Sequence, residues 1–169
     1  MSYGDEQIKM NAHMVPKAFF VTSGVGMDPE QANAFDLALR GAGIGECNLV
    51  GVSSILPANA VETERSSVRI TPGNITFCVM SRAEGKSGEV IGAGIGYGWI
   101  GEEQSEFGIV CEHHGHCSRD YLAEKVHEKL YKMAEIRDKK ILKKELLVES
   151  VEVEKGKFGS VVVALVFVF

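Results

Sequence analysis

Two adjacent serines, Ser53 and Ser54, follow a short apolar run and precede Pro57. A serine hydroxyl can attack the carbonyl carbon of the preceding residue when the backbone holds both groups together, which exchanges an amide bond for an ester. The attack requires a constrained turn and stabilisation of the oxyanion. β-Elimination of the ester then frees a carboxyl terminus on Ser53, and Ser54 becomes dehydroalanine, which hydrolyses to a pyruvoyl group. Taken alone, the pair is more typical of two ordinary hydroxyls at the end of a strand.

Asn48 lies on the same apolar run, shortly before the serine pair. Its side-chain amide carries two N–H groups that can donate to an oxyanion. Asn48 is therefore a candidate donor for the cleavage, and a simple turn residue is the alternative.

A second group of chemically active side chains lies between positions 111 and 117. It comprises Cys111, Glu112, His113, His114, His116 and Cys117. All of these side chains are possible zinc ligands, so a metal-dependent hydrolase is an alternative function. However, the spacing matches no structural zinc pattern, and neighbours on a strand point to opposite faces, so few could converge. We therefore expect no native metal site, and a histidine here could instead tune the pKa of Glu112.

The composition predicts one domain over residues 1–169, with enough apolar sequence for a buried core. The net charge of -5 argues against nucleic acid as a partner, since phosphate binding needs surplus basic residues. No apolar run approaches the roughly 20 residues of a membrane helix. The N-terminus lacks a signal-peptide pattern, so we expect a cytoplasmic protein with reduced thiols and no membrane partner.

Two helices are predicted from start signals and apolar periodicity. The first begins near Asp28, a candidate cap, and ends at the glycines of 41–45. Its expected buried stripe is Ala32, Phe35, Leu39 and Ala42. The second is capped by Ser118, and its expected apolar seam is Leu122, Val126, Leu130 and Met133.

Several strands alternate with these helices. The predicted strands cover 18–22, where Gly24 and Gly26 should break the chain, and 48–53, 75–81, 89–100, 107–112, 146–153 and 159–169. In the 89–100 strand, one face consists of Gly92, Gly94, Gly96 and Gly98, so another layer should approach it closely. Gly96, Gly98 and Gly101 formally fit the dinucleotide motif G-x-G-x-x-G, but Glu102 and Glu103 would repel a pyrophosphate and no capped apolar helix follows. The predicted class is α+β, with helices covering the outer faces of packed, mainly antiparallel sheets.

The segment 33–57 resembles the pyruvoyl-dependent arginine decarboxylases, which are mostly archaeal proteins of about this size. Three blocks carry the likeness: 33–36 (NAFD), 42–45 (AGIG) with Asn48-Leu49, and 53–57 (SSILP). A weaker match is Glu112 with Gly115 and Cys117-Ser118. The likeness extends in order and spacing over essentially the whole chain. The histidines beside Glu112 depart from the family motif, which leaves open what surrounds that carboxyl group.

The resemblance implies a role for each matching residue. Ser54 would become the covalent pyruvoyl cofactor, with Ser53 as the other side of the cut, and Asn48 would assist processing. Glu112 would be the general acid that protonates the α-carbon, a role that burial would favour by raising its pKa. Substrate binding would fall to Asp36, whose carboxylate suits a planar guanidinium, and to the backbone at Ile44 and Gly45.

The resemblance also implies a fold, a reaction and an assembly. The fold would be a sheet sandwich flanked by helices (αββα layers), cleaved into 1–53 (β chain) and 54–169 (α chain). The enzyme, a carbon-carbon lyase, would convert L-arginine to agmatine and CO2 through a Schiff base on the pyruvoyl group, for polyamine biosynthesis. The active site would lie between subunits of a homotrimer or a dimer of trimers. There are two alternatives to an arginine decarboxylase. The substrate could be lysine or ornithine, or the chain could be a non-catalytic homologue that is never processed.

Overall fold

The fold is a four-layer arrangement of two β-sheets between two helices, described for residues 14–103 and 105–169 of a computed structural model. The helices are α1 (Gln31–Gly41) and α2 (Arg119–Glu135). The strands are β1 (Ala18–Asp28), β2 (Asn48–Gly51), β3 (Ile55–Leu56), β4 (Val61–Glu62), β5 (Ile75–Lys86), β6 (Val90–Gly101), β7 (Ser105–Gly115), β8 (Lys140–Glu152) and β9 (Phe158–Val168).

The strands form two separate sheets. The first sheet has the order β2-β5-β9-β1-β4, and the second has the order β3-β7-β6-β8. Most neighbours are antiparallel, while β2 with β5 and β1 with β4 run parallel. The α+β sandwich flanked by helices is therefore confirmed. In the described residues, neither helix combines the length and hydrophobicity needed to cross a bilayer.

Side-chain alternation along the strands gives the molecule three apolar layers. The central layer lies between the sheets, where Phe19, Ile95 and Leu165 are fully buried. The layer under α1 includes Phe20 and Val166, which alternate with central residues on the same strands. This explains why 159–169 is almost continuously apolar: β9 is covered on both faces.

The bare glycine face of β6 receives helix α2, as the sequence predicts. A Cβ atom on Gly92 would lie 2.4 Å from Cδ1 of Leu122, and one on Gly96 would lie 2.5 Å from Cγ1 of Val126. Contacts this short are sterically excluded, so larger residues would push the helix away from the sheet. The seam of α2 is also confirmed, with Ala134 buried beside Leu122, Val126 and Leu130, and Met133 half-buried.

The predicted break of the first strand at Gly24 and Gly26 is wrong, because β1 continues to Asp28. The glycines permit close contact with α1: a Cβ on Gly26 would lie 2.0 Å from the carbonyl oxygen of Ala34. The same contact corrects the predicted stripe of α1. Ala34 and Ala38 are its buried residues, since only small side chains fit against β1, whereas Ala32 is exposed. The other predicted positions are confirmed, because Ala42 is buried just after the helix and Phe35 and Leu39 are half-buried against the same layer.

Several element ends also differ from prediction. The strand predicted over 48–53 ends at Gly51, and β8 begins at Lys140 rather than near 146. Asp28 does not occupy the cap position of α1, which belongs to Glu30. Its Oδ1 instead accepts hydrogen bonds from the Glu30 N–H (2.9 Å) and the Asn33 amide (3.2 Å), so it still stabilises the first turn. Ser118 caps α2 as predicted.

Replacing Gly26 by alanine should destabilise the fold. The new methyl group would collide with backbone atoms of α1, and overpacking of this kind costs about 1–3 kcal/mol. Urea denaturation of Gly26→Ala should report that loss. The matched control is Gly51→Ala, where no atom lies within 4 Å of the added carbon and no loss is expected. Equal stability of both variants would contradict the close helix–strand contact.

Candidate functional site

The serine pair lies where the chain crosses from one sheet to the other. Before the crossing, the Val52 N–H donates to the Cys78 carbonyl at 3.0 Å, which extends the pairing of β2 in the first sheet. After it, the Ser54 carbonyl accepts from the Val110 N–H at 2.8 Å, which extends the pairing of β3 in the second sheet. The Ser53–Ser54 peptide is therefore spanned by two fixed backbone anchors.

Ser54 and Glu112 line the same cavity, which has a volume of about 310 Å3. Both residues are half-buried, and Ser53 is exposed. The remaining lining residues are Val110, Cys111, Lys129, Lys132 and Met133. The structure thus brings together two of the residues that the sequence selected, from the crossing segment and from β7.

On one edge of β7, strand pairing stops before Glu112, because the segment that leads into β3 crosses over from the first sheet at this point. Among the described residues, pairing along this edge covers Gly108 and Ile109, and the Ser54 carbonyl extends it to Val110. Backbone groups two residues apart face the same edge of a strand, so Glu112 presents its own there. Its carbonyl accepts a hydrogen bond from Lys129 Nζ of α2 at 2.9 Å.

Positive charge surrounds the histidine that follows Glu112. Lys129 Nζ lies 3.0 Å from Nδ1 of His113. Burial lowers the pKa of His113, and the nearby charges of Lys129, His114 and Lys125 lower it further. Each cause favours the neutral imidazole, whose free ring nitrogen can accept from the ammonium group.

The run 111–117 is dispersed by the fold rather than gathered around one point. Burial raises the pKa of the Cys111 thiol to about 11, and its Sγ contacts the Val126 carbonyl at 3.2 Å. His113 faces Lys129, while Nε2 of His116 lies 3.2 Å from Glu89 Oε2. Within residues 14–103 and 105–169, no group of three or more His, Cys, Asp or Glu side chains is arranged to hold a metal ion.

Asn48 is exposed at the start of β2, away from the crossing of its own chain. Its side-chain amide donates to the Gly73 carbonyl at 3.0 Å. The three strand steps from Asn48 to Gly51 alone cover about 10 Å. The structure therefore does not bring this amide to the serine pair within one chain.

The residues implied for substrate binding lie on the α1 side of the first sheet. Asp36 is exposed on α1, whereas the side chain of Ile44 is 1% exposed and belongs to the layer beneath that helix. Gly45 lines a different cavity of about 290 Å3, together with Arg40 and Arg65. A single chain therefore holds these three residues and the Ser54 cavity in separate places.

Two features next to the serine pair were missed by the sequence reasoning. One is Lys129, which the pattern of α2 marks only as a polar surface position. The other is an apolar cavity of about 500 Å3 that includes Ser53 and is lined largely by Phe77, Phe107, Phe167 and Phe169. The sequence signal for this cavity was the presence of aromatic residues near the ends of several strands. Only the order of the strands in the sheets shows that these strand ends lie next to one another.

Comparison with known proteins identifies similar sequences. A family model described as "Pyruvoyl-dependent arginine decarboxylase" matches residues 18–169. A protein of Methanopyrus kandleri named pyruvoyl-dependent arginine decarboxylase is 34% identical over 153 residues, which are 90% of this chain and 97% of that protein. Pyruvoyl-dependent arginine decarboxylase 1 of Archaeoglobus fulgidus is 43% identical over 62% of this chain and 68% of its own length. The Methanosarcina acetivorans protein of the same name is 37% identical over 63% of this chain and 66% of its own length, just under two thirds.

Removing the Lys129 charge should raise the pKa of His113. The Lys129→Met variant loses one of the charges that disfavour imidazolium, while the larger contribution from burial remains, so the pKa should return only part of the way to its ordinary value. Titration of the His113 ring signals by NMR measures this. Lys132→Met is the matched control, because its ammonium pairs with Glu135 at 2.9 Å and is not among the groups that shift His113. An unchanged pKa in the Lys129 variant would contradict the contact.

Proposed function

This chain belongs to the pyruvoyl-dependent arginine decarboxylase family, and we propose that it cuts itself between Ser53 and Ser54 and then decarboxylates L-arginine to agmatine and CO2. The observation that carries the proposal is the anchored crossing, which holds Ser54 against a cavity that Glu112 also lines. The cofactor of the family is a covalently bound pyruvoyl group, and Ser54 is the residue that we assign to it.

The residues around Ser54 fit such a group. The position is half-buried, lines a cavity of about 310 Å3, and is fixed through its own carbonyl to Val110. A pyruvoyl group would supply a carbonyl that condenses with the substrate amine, and it would delocalise the electron pair left on the α-carbon when CO2 departs. Val110 would hold this terminus in place.

Self-cleavage would begin with attack of the Ser54 hydroxyl on the Ser53 carbonyl carbon. The bonds to Cys78 on one side and Val110 on the other limit how far this peptide can relax. The attack breaks the Ser53–Ser54 amide and leaves an ester. Departure of the Ser53 carboxylate from the Ser54 β-carbon, with loss of the Ser54 α-proton, then separates residues 1–53 from 54–169. Hydrolysis of the resulting dehydroalanine releases ammonia and leaves the pyruvoyl group. Asn48 is the proposed oxyanion donor, and it would have to leave the Gly73 carbonyl or be supplied by a neighbouring subunit.

In the decarboxylation, we assign proton delivery to the α-carbon to Glu112. Its half-buried position in the Ser54 cavity supports this role. Asp36 would pair with the guanidinium group of arginine, and the backbone at Ile44 and Gly45 would line the same pocket.

Separation of Asp36 from the Ser54 cavity within one chain is consistent with a site shared between subunits. We propose a homotrimer, alone or as a dimer of trimers, in which one subunit presents Asp36 to the Ser54 cavity of another. Exposed apolar side chains near the crossing support an interface there, namely Val50, Val52, Ile55 and Phe169. We further propose that the enzyme acts in the cytoplasm and supplies agmatine for polyamine synthesis.

Replacing Ser54 by alanine should leave one full-length, folded and inactive chain. Without the hydroxyl there is no nucleophile for the acyl shift. The intact mass of the denatured protein measures this: the parent should give fragments ending and starting at the 53/54 bond, the second one blocked by a pyruvoyl group. Ser53→Ala is the matched control and should still cleave, since its carbonyl remains. Normal cleavage of Ser54→Ala would defeat the mechanism, and an uncleaved parent would favour the non-catalytic alternative.

Replacing Asp36 by asparagine should weaken arginine binding far more than self-cleavage. Loss of a charge-assisted hydrogen-bonded pair costs about 1.5–3 kcal/mol, so the KM should rise roughly 10- to 100-fold. Steady-state kinetics and intact mass give the two readouts. Glu30→Gln, an exposed carboxylate at the start of the same helix, is the control. Equal losses of binding and cleavage in Asp36→Asn would mean that Asp36 is structural.

A further inference from the structure

Two side chains from outside β7 hold consecutive carbonyl groups at Glu112 and His113. Lys129 Nζ of α2 donates to the Glu112 carbonyl at 2.9 Å. The Ser81 hydroxyl of β5 donates to the His113 carbonyl at 2.8 Å. The two bonds come from opposite layers of the molecule, since α2 covers the outer face of the second sheet and β5 belongs to the first sheet.

Ser81 is a polar residue in an apolar layer. Its neighbours on the same face of β5 are Val79 and Ala83, and its own side chain is fully buried. A buried hydroxyl must be hydrogen-bonded to avoid a desolvation cost. It donates to His113 and accepts from the Gly94 N–H at 3.2 Å, and these two residues are direct partners across β6 and β7. Ser81 thus joins the two sheets at the residue after Glu112.

Lys129 acts where β7 lacks a neighbouring strand. Among the described residues, strand pairing on that edge ends before Glu112, so its main chain is held by a strand on one side only, through its pairing with Ile95 of β6. The ammonium group reaches the Glu112 carbonyl and the His113 ring together. This ties α2 to the strand end that carries the carboxyl group.

We propose that Ser81 and Lys129 are positioning residues that clamp the main chain at Glu112 for the decarboxylation step. The inference rests on the general-acid role proposed above for Glu112. A general acid must lie within hydrogen-bond reach of the atom that it protonates, and a displacement of about 1 Å can cost roughly 100-fold in rate. The clamp touches neither the Ser53–Ser54 peptide nor its anchors at Cys78 and Val110. It should therefore affect turnover and leave self-cleavage intact.

The decisive variant is Lys129→Met, because its side chain is exposed and its loss should not prevent folding. We expect complete cleavage by intact mass, a KM for arginine within about twofold of the parent, and a kcat lowered about 10- to 100-fold. Lys129→Arg retains a cationic donor and should recover most of the kcat. The control is Lys125→Met on the same helix, whose ammonium pairs with Glu128 at 2.7 Å, and its kcat should equal that of the parent.

Ser81→Ala tests the other half of the clamp with the same readouts. A lowered kcat with complete cleavage and an unchanged KM is the expected result. If this variant does not fold, the Lys129 series decides alone. A parental kcat in Lys129→Met, or a loss of cleavage in step with kcat, would overturn the proposal.

Glu112→Gln separates failure of the clamp from failure of the proposed function. A slow but fully cleaved Glu112→Gln beside a parental Lys129→Met would reject the clamp and keep the general acid. Parental turnover of Glu112→Gln would remove the role on which the clamp depends and so overturn it as well. A parent that is cleaved yet inactive on arginine would reject the proposed function itself, and with it the clamp.

Discussion

The geometry of this protein depends on the passage of one short segment between two sheets. Val52 is still bonded to the first sheet and Ser54 is already bonded to the second, so hardly any free backbone lies between the two anchors. This passage also ends the pairing of β3 with β7, so Glu112 lies beside an edge that no described strand covers, and the cavity next to Ser54 lies there. The crossing of the chain between the two sheets therefore restrains the Ser53–Ser54 peptide bond and also leaves a cavity beside it.

Contacts that only glycine permits set the positions of the helices around this passage. Val126 packs against Gly96, and its carbonyl is contacted by the buried thiol of Cys111, so α2 is fixed in both distance and register. Lys129 follows one turn later on the same helix and therefore meets Glu112. The glycine face of β6 thus sets the position of α2, and through it the position of the Lys129 side chain.

The sequence was sufficient to predict features that depend on local pattern. Alternation and capping signals predicted packed sheets with helices on their outer faces, both helices, and the approach of a second layer to the β6 glycines, while the sandwich itself was implied by family likeness. They failed at Gly24 and Gly26, because a strand glycine marks a close neighbour as readily as a break, and only the position of α1 distinguishes the two. The pairing of Ser54 with Glu112 followed from family likeness, whereas Ser81 and Lys129 required the sheet order. For Ser81, the local signal in the sequence was a single hydroxyl among the inward-facing apolar positions of β5.

The placement of residues 18–51 has a consequence for any molecule cut after Ser53. These residues supply β1, α1 and β2, and β1 lies inside the first sheet, where all its residues from Ala18 to Asp28 pair with β9. The smaller piece would thus be held to the larger one by the pairing of β1 with β9 and of β2 with β5, without a covalent link, much as in a split protein whose halves complement each other. It could leave only by breaking both of these strand pairings. Two such pieces, if synthesised apart, would each lack a complete core until they met.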